Sequence, residues 1–244
     1  MEWLIALLLL GLLVYLVKDE LSSNGSVLAR KRLCDYLVSG SVYEDIPSAI
    51  QSGKRLLEVH VYSDERDQPV VAKKPQNDGY DFAEDNVSFE QVCIDIVNDA
   101  FPSKDPFILS IVPHTDKTIV IDRVAEHLLT TVRKHLVPQK DLQQVPLDAL
   151  ANKLILVSGN VAGTSLEPLV NMTWDESGLR RMTVLQATNP RDPEDLKQFN
   201  KDFITMIVPD GDIKVTTKVD HVLGSQWNFY SAGPSGFVEK TSRV

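Results

Sequence analysis

The chain reads as an α/β protein: an irregular TIM-type (β/α)8 barrel preceded by one N-terminal transmembrane helix. Three observations predict this. Short aliphatic runs alternate with stretches of helical spacing from about residue 33 to the end, the pattern of strands and crossover helices in a parallel barrel. No G-x-G-x-x-G turn marks the open, nucleotide-binding alternative. Ahead of all this, Trp3 to Val17 is an uncharged, mostly aliphatic stretch flanked by Glu2 and by Lys18-Asp19-Glu20.

At 15 residues that stretch is slightly shorter than the roughly 17–25 that usually span a bilayer. Trp3 and Tyr15 suit interfacial positions and Lys18 can snorkel. A cleavable signal would carry a basic n-region, and here that region offers only Glu2, so an uncleaved single-pass anchor over residues 1–20 is expected. Lys18, Arg30, Lys31 and Arg32 all follow the segment, which places the barrel on the cytoplasmic or equivalent side. The sequons at Asn24, Asn86 and Asn171 point the other way. Residues 21–32 form a polar linker, and 33–244 show no further domain break.

Asp35 to Gly40 reads as a first strand and Glu44 to Ser52 as a short helix stopped at Gly53. Arg55 to Val61 and Pro69 to Ala72 read as two barrel-type strands, the second ended by Lys73-Lys74-Pro75. Ser88 with Gln91 forms a capping box ahead of Val92, Ile96, Val97 and Ala100 at helical spacing. Phe107 to Val112 is a buried-type strand, and from Asp116 a helix carries Ile121, Val124, Leu128, Val132 and Leu136. Further strands are expected at Lys153 to Ser158, Arg181 to Gln186, Phe203 to Val208 and near Trp227 to Tyr230, with a helix begun by Asp192-Pro193. The sum is about eight strands.

The net charge of −9 excludes nucleic acid as the expected partner and argues against electrostatic docking on anionic lipid, since both need a basic surface. Cys34 and Cys93 stand far apart without C-x-x-C spacing, so neither a zinc framework nor a disulfide is indicated, and both read as small buried apolar residues. The pattern names no metal or other cofactor. Strand alternation puts Glu58, His60 and Tyr62 on one face and Leu57, Val59 and Val61 on the other, so an acid and an imidazole share one side. Lys73 and Lys74 at a strand tip make a candidate anion site, and His114 closes the strand that begins at Phe107. Strand-end residues of this fold gather at its C-terminal mouth, which makes Glu58, His60, Lys73 and His114 the candidate site. Two imidazoles and a carboxylate are also a zinc-compatible donor set, although here without motif spacing.

Several stretches together resemble the phosphoinositide-specific phospholipases C. Gln51 to Val59 is similar to the family's S-G-C-R-C-V-E-L segment, Ser88 to Val92 to its S-F-K-D-V helix, and Pro106 to Ile111 to its P-V-I-L-S-L strand. Asn152 to Leu156 resembles G-K-I-L-I, and Phe199 to Gly211 resembles the Y-N-K and R-I-Y-P runs of the second half. The resemblance implies a barrel that uses two histidines for proton transfer, with calcium and cationic side chains steadying the phosphate. It also implies that this chain lacks them. Val42 stands where the first histidine belongs and Tyr43 where an asparagine ligand of calcium belongs. Glu58 is kept from the E-L-D calcium motif, but the aspartate position is His60, and imidazole suits calcium poorly. The second histidine falls near Lys73 or Lys74, a glutamate becomes Val112, phosphate-binding lysines are replaced around Val157-Ser158-Gly159, and an arginine becomes Met206.

The expectation is therefore a catalytically inactive barrel with no catalytic residues and no metal. Its partners would be the membrane, through the N-terminal helix, and protein subunits of a larger assembly, such as a respiratory complex or the membrane-facing layer of a large virus. The alternative is a membrane-bound phosphodiesterase, or a lipid-headgroup binder, using a rearranged site around Glu58, His60, Lys73 and His114.

Overall fold

The computed structural model describes residues 31–74, 85–159, 161–174, 178–209, 223–229 and 235–241. The chain divides into two units, Met1–Lys31 and Arg32–Val244, and the second carries the fold. Eight strands run parallel around it: β1 (Tyr36–Val42), β2 (Leu56–Ser63), β5 (Phe107–Pro113), β6 (Leu154–Ser158), β7 (Met172–Thr173), β8 (Leu179–Thr183), β9 (Ile204–Val208) and β10 (Trp227–Asn228). Their spatial order is β7-β6-β5-β2-β1-β10-β9-β8, a nearly closed TIM-like barrel whose seam lies between β7 and β8. Between the first strands lie helices α1 (Ile46–Gln51), α2 (Phe89–Asp99) and α3 (Thr118–His127), and α4 (Val184–Thr188) and α5 (Pro193–Asp202) separate β8 from β9. A short β11 (Phe237–Glu239) pairs antiparallel with β1.

The strand alternation read from the sequence sorts side chains between two cores. Leu57, Val59, Val61, Leu109 and Ile111 face outward onto Val92 and Ile96 of α2 and Val124 of α3. Val38, Leu56, Ile108, Ile155, Met206 and Trp227 fill the interior, so the barrel is a packed core with chemistry left to its rim. Helix starts follow side-chain capping. Asp45 accepts from the Ser48 N–H, Ser88 from that of Gln91, and Asp192 from those of Glu194 and Asp195. Both cysteines are buried and unpaired.

Three sequence expectations are corrected. Pro69–Ala72 forms β3, an antiparallel partner of β2 and of β4 (Asn86–Ser88), and is not a stave of the barrel. Only five residues separate it from β2, too few for a parallel crossover. The stave that replaces it in the count is β7, two residues long. The strand expected over Arg181 to Gln186 ends at Thr183, where a capping box with Gln186 starts α4. The helix expected from Asp116 through Leu136 begins at Thr118, loosens to π geometry over Leu128–Val132 and finishes as one 3-10 turn, with Leu136 already extended.

Among the described residues no helix is long and apolar enough to cross a membrane, and the expected anchor over Trp3 to Val17 lies outside the described residues. Asn171 is only 3% exposed. Its Nδ2 donates to the Val137 and Gln139 carbonyls, and its Oδ1 accepts from the Leu156 N–H. A glycan there is incompatible with the fold.

Candidate functional site

The mouth of the barrel is built by residues at strand ends. Parallel register sets Val42 beside Glu58, Glu58 beside Ser110, and His60 beside Val112. Glu58 points into the barrel and is 2% exposed. Three donors meet its carboxylate: Arg181 from β8 at 2.8 Å and His60 Nε2 at 3.3 Å reach Oε1, and Ser110 Oγ reaches Oε2 at 3.0 Å. Burial alone would raise this carboxyl. The His60 hydrogen bond and the Arg181 charge outweigh it and hold the group below the usual carboxylate range.

His60 Nδ1 lies 2.7 Å from His114 Nε2. Since His60 Nε2 faces a carboxylate, it carries the proton, and Nδ1 then accepts from His114 Nε2–H. Burial, and then the neighbouring His60, lower His114 to about 4, so it stays neutral near pH 7. Tyr43 stacks on His60 at 4.8 Å and His114 on Tyr62 at 4.5 Å, while His60 and His114, with centroids 4.9 Å apart and planes 20° from parallel, lie edge to edge along their hydrogen bond. Tyr43 holds a left-handed φ of 61°, a strained backbone at the end of β1 that aims its ring into this stack. Its phenol is pushed up to about 12, chiefly by burial.

On the other side, the guanidinium of Arg181 sits 5.1 Å over the ring of Trp174. Gly159 allows that ring its place, since a Cβ there would stand 2.8 Å from Trp174. A cleft of about 760 Å³ opens over the mouth, lined in part by Val42, Tyr43, Glu58, His60, Arg181 and Phe229.

Of the four candidates read from the sequence, Glu58, His60 and His114 meet in one hydrogen-bonded row. Lys73 stands apart: it is exposed and lines a second depression with Asp45, Ile46 and Val71, while its backbone N–H bonds the Asp85 carbonyl. Val112 lies beside His60 in register, and Met206 is fully buried in the interior core. The sequence reading passed over Arg181. Its signal was the pair Arg180-Arg181 inside one strand, because alternation must turn one of two adjacent arginines into the barrel. Arg180 takes the outer position, ion-paired with Asp195 and laid on Phe199.

This donor set does not fit a metal. His60 spends one ring nitrogen on Glu58 and the other on His114, so the three residues form a line and do not converge on a point. Calcium wants six to eight oxygens, and Glu58 already meets Arg181, Ser110 and His60. Among the described residues no group of three or more acids, histidines or cysteines is placed to hold a metal ion.

The acid limb of stability follows from the same contacts. His114 takes its proton near 6.5 when unfolded and near 4 when folded, so the unfolded state binds more protons between those values and stability falls as pH drops through them. Glu58, depressed below its ordinary 4.5, adds a second loss below that pH. Denaturant midpoints should hold steady from about pH 7.5 to about 6.5 and decline from there to about pH 4, and His114→Phe should flatten the upper part of the decline.

Fold and mouth together define a phospholipase C-like barrel. Residues 22–159 match the family described as phosphatidylinositol-specific phospholipase C, X domain, and the chain belongs to that family. Among solved structures, phospholipase C PLC21 of S. officinalis superposes with a TM-score of 0.68 at 17% identity, over 83% of this chain and 34% of that one. This chain thus spans about a third of PLC21. The calcium-dependent phosphoinositol-specific phospholipase C of a Pseudomonas species gives 0.56 at 13% identity, over 82% and 90% of the two chains. The Ca2+-dependent enzyme of Streptomyces antibioticus gives 0.52 at 11%, over 82% and 94%. No curated protein sequence matches the chain.

Proposed function

We propose that this chain is a membrane-anchored, catalytically inactive phospholipase C-like barrel that serves as a structural or accessory subunit of a larger membrane-associated assembly, such as a respiratory complex or a viral membrane-capsid layer. One observation carries the inactive reading. Where the family resemblance expects a proton-transferring histidine and a calcium-binding acid, the mouth holds Val42, packed against the interior core, and a Glu58 already engaged by Arg181, Ser110 and His60. Valine transfers no proton, and proton transfer by a positioned side chain is typically worth about 10²–10⁴-fold.

Restoring that side chain alone is expected to achieve nothing. Val42→His places an imidazole at the rim, but leaves Glu58 paired with Arg181 and calcium without its ligands, so phosphatidylinositol cleavage should stay at background with or without calcium. Cleavage appearing in this variant would mean that the rest of the site is competent.

The anchor and its orientation are supported by the uncharged Trp3 to Val17 stretch and the basic residues that follow it. The protein is expected to stay with carbonate-washed membranes and to leave mild detergent with stoichiometric subunits. Release by carbonate, or recovery only as a monomer, would contradict this. Orientation is best read at Asn86, whose side is exposed and whose sequon includes the α2 cap Ser88, because Asn171 is buried. An unmodified Asn86 is expected in cells. The second reading, a phosphodiesterase or headgroup binder with a rearranged site, draws on the cleft above His60 and Arg181.

A further inference from the structure

We infer that Arg181 is a built-in cation that takes the place of a bound divalent ion at the mouth and pins the open seam of the barrel from inside. Charge, reach and topology support it. The guanidinium Nη2 lies 2.8 Å from Glu58 Oε1, supplying positive charge at the carboxylate that the family resemblance assigns to calcium. Arg181 projects from β8, whose hydrogen-bonded barrel neighbour is β9, and bonds an acid on β2, three strands from the seam on the other path. It also lies over Trp174, which directly follows β7. One side chain therefore touches both strands' ends at the seam and the strand facing them. Backbone hydrogen bonds do not join β7 to β8 among the described residues, so this side-chain bridge does there what a ladder does elsewhere.

The alternative is an arginine that merely packs. Packing would be satisfied by a side chain of similar length without charge, and it would leave the carboxylate free to recruit a cation. A fixed cation has a different signature: the mouth is indifferent to calcium, and the charge, not the shape, is what holds β8. The inference deepens the proposed reading of this mouth and rests on its premise that calcium is not held there.

The test uses the full chain in detergent micelles, with calcium as the probe, in wild type, Arg181→Gln and Arg181→Lys. The wild-type melting temperature should differ by less than about 1 °C between EGTA and millimolar calcium, since an ion that does not bind the native state cannot stabilise it. Arg181→Gln should melt several degrees lower, and amide exchange over residues 179–183 should quicken about tenfold relative to residues 107–113. Arg181→Lys should recover at least half of both losses. Equal behaviour of the Gln and Lys variants would overturn the charge role. Calcium-dependent stabilisation of the wild type, or calcium binding by calorimetry, would overturn the inference even if a variant fails to fold. Phosphatidylinositol hydrolysis is followed on the same wild-type samples. Hydrolysis without a calcium response sinks the inactive reading and leaves Arg181 as the cation, whereas calcium binding without hydrolysis does the reverse.

Discussion

Arg181→Met should lower the unfolding free energy by about 3 kcal/mol, because it strands a buried charge. Removing one partner of a buried ion pair costs roughly 3–5 kcal/mol, and the lower end applies here since the Arg181 side chain keeps 26% of its exposure while Glu58 keeps 2%. The carboxylate left behind must either stay charged without its cation or take up a proton. If the pair is the origin of the loss, then Glu58→Met combined with Arg181→Met should be far milder than Arg181→Met alone, as paired replacement by apolar residues often is. Chemical denaturation of the three variants measures this directly. A double variant as unstable as the sum of the singles would assign the loss to packing.

The second large effect lies at the opposite end of the barrel. Gln226 is fully buried, its two Nε2 hydrogens are shared among the carbonyls of Phe203, Asn200 and Cys34, and its Oε1 accepts from the Thr205 N–H. Asn200 extends the network, accepting from Thr205 Oγ1 and donating to the Leu223 carbonyl. One side chain thus ties the start of the barrel, the end of α5 and the base of β9. Gln226→Ala leaves several buried backbone groups without partners at about 1–3 kcal/mol each, partly relieved by water entering the space, so a net loss of about 4 kcal/mol is expected. Gln226→Glu should also be damaging, because a carboxylate has no N–H to donate and would set its oxygen against the carbonyls that Nε2 now serves. A loss under about 1 kcal/mol for Gln226→Ala, well below one unsatisfied group, would show that the network is not structural.

Both predictions turn on residues that the sequence reading passed over, and the reason is physical. Strand alternation made the shared face of Glu58 and His60 legible, because period-two geometry is local. His114 was legible as a strand-end residue, and its meeting with His60 follows once β5 pairs with β2. Long-range partners were not legible in the same way. Arg181 meets Glu58 across 123 positions, and Gln226 meets Cys34 across 192. No local pattern announces such a pairing. The misread elements were different, since their signals were present. Thr183 and Gln186 at capping-box spacing announced α4, and the short link between Ser63 and Pro69 announced a hairpin. In both places hydrophobicity alone reads as a stave, and the turn and cap signals beside it decide otherwise. The two-residue β7 is too short for periodicity to reveal.

The resemblance to phospholipases C, read from motif order, agreed with the family match and with the shared fold. What it could not supply was the fate of the calcium acid. Glu58 was expected to share a candidate site with His60 and His114, and it does stand in a row with them, but it is also ion-paired with Arg181, which the motif order gave no means to foresee. Retention of one motif residue says little about its role when its partners have changed, because a carboxylate's chemistry is set by the donors around it.

The central claim, that the barrel keeps the family's fold without its hydrolytic chemistry, is tested most directly by phosphatidylinositol cleavage. Full-length protein in mixed micelles should release no soluble inositol phosphate above the protein-free background, in calcium or in EGTA, across pH 5 to 8. Sustained release that His114→Ala abolishes would contradict the claim and make the row of Glu58, His60 and His114 a working site.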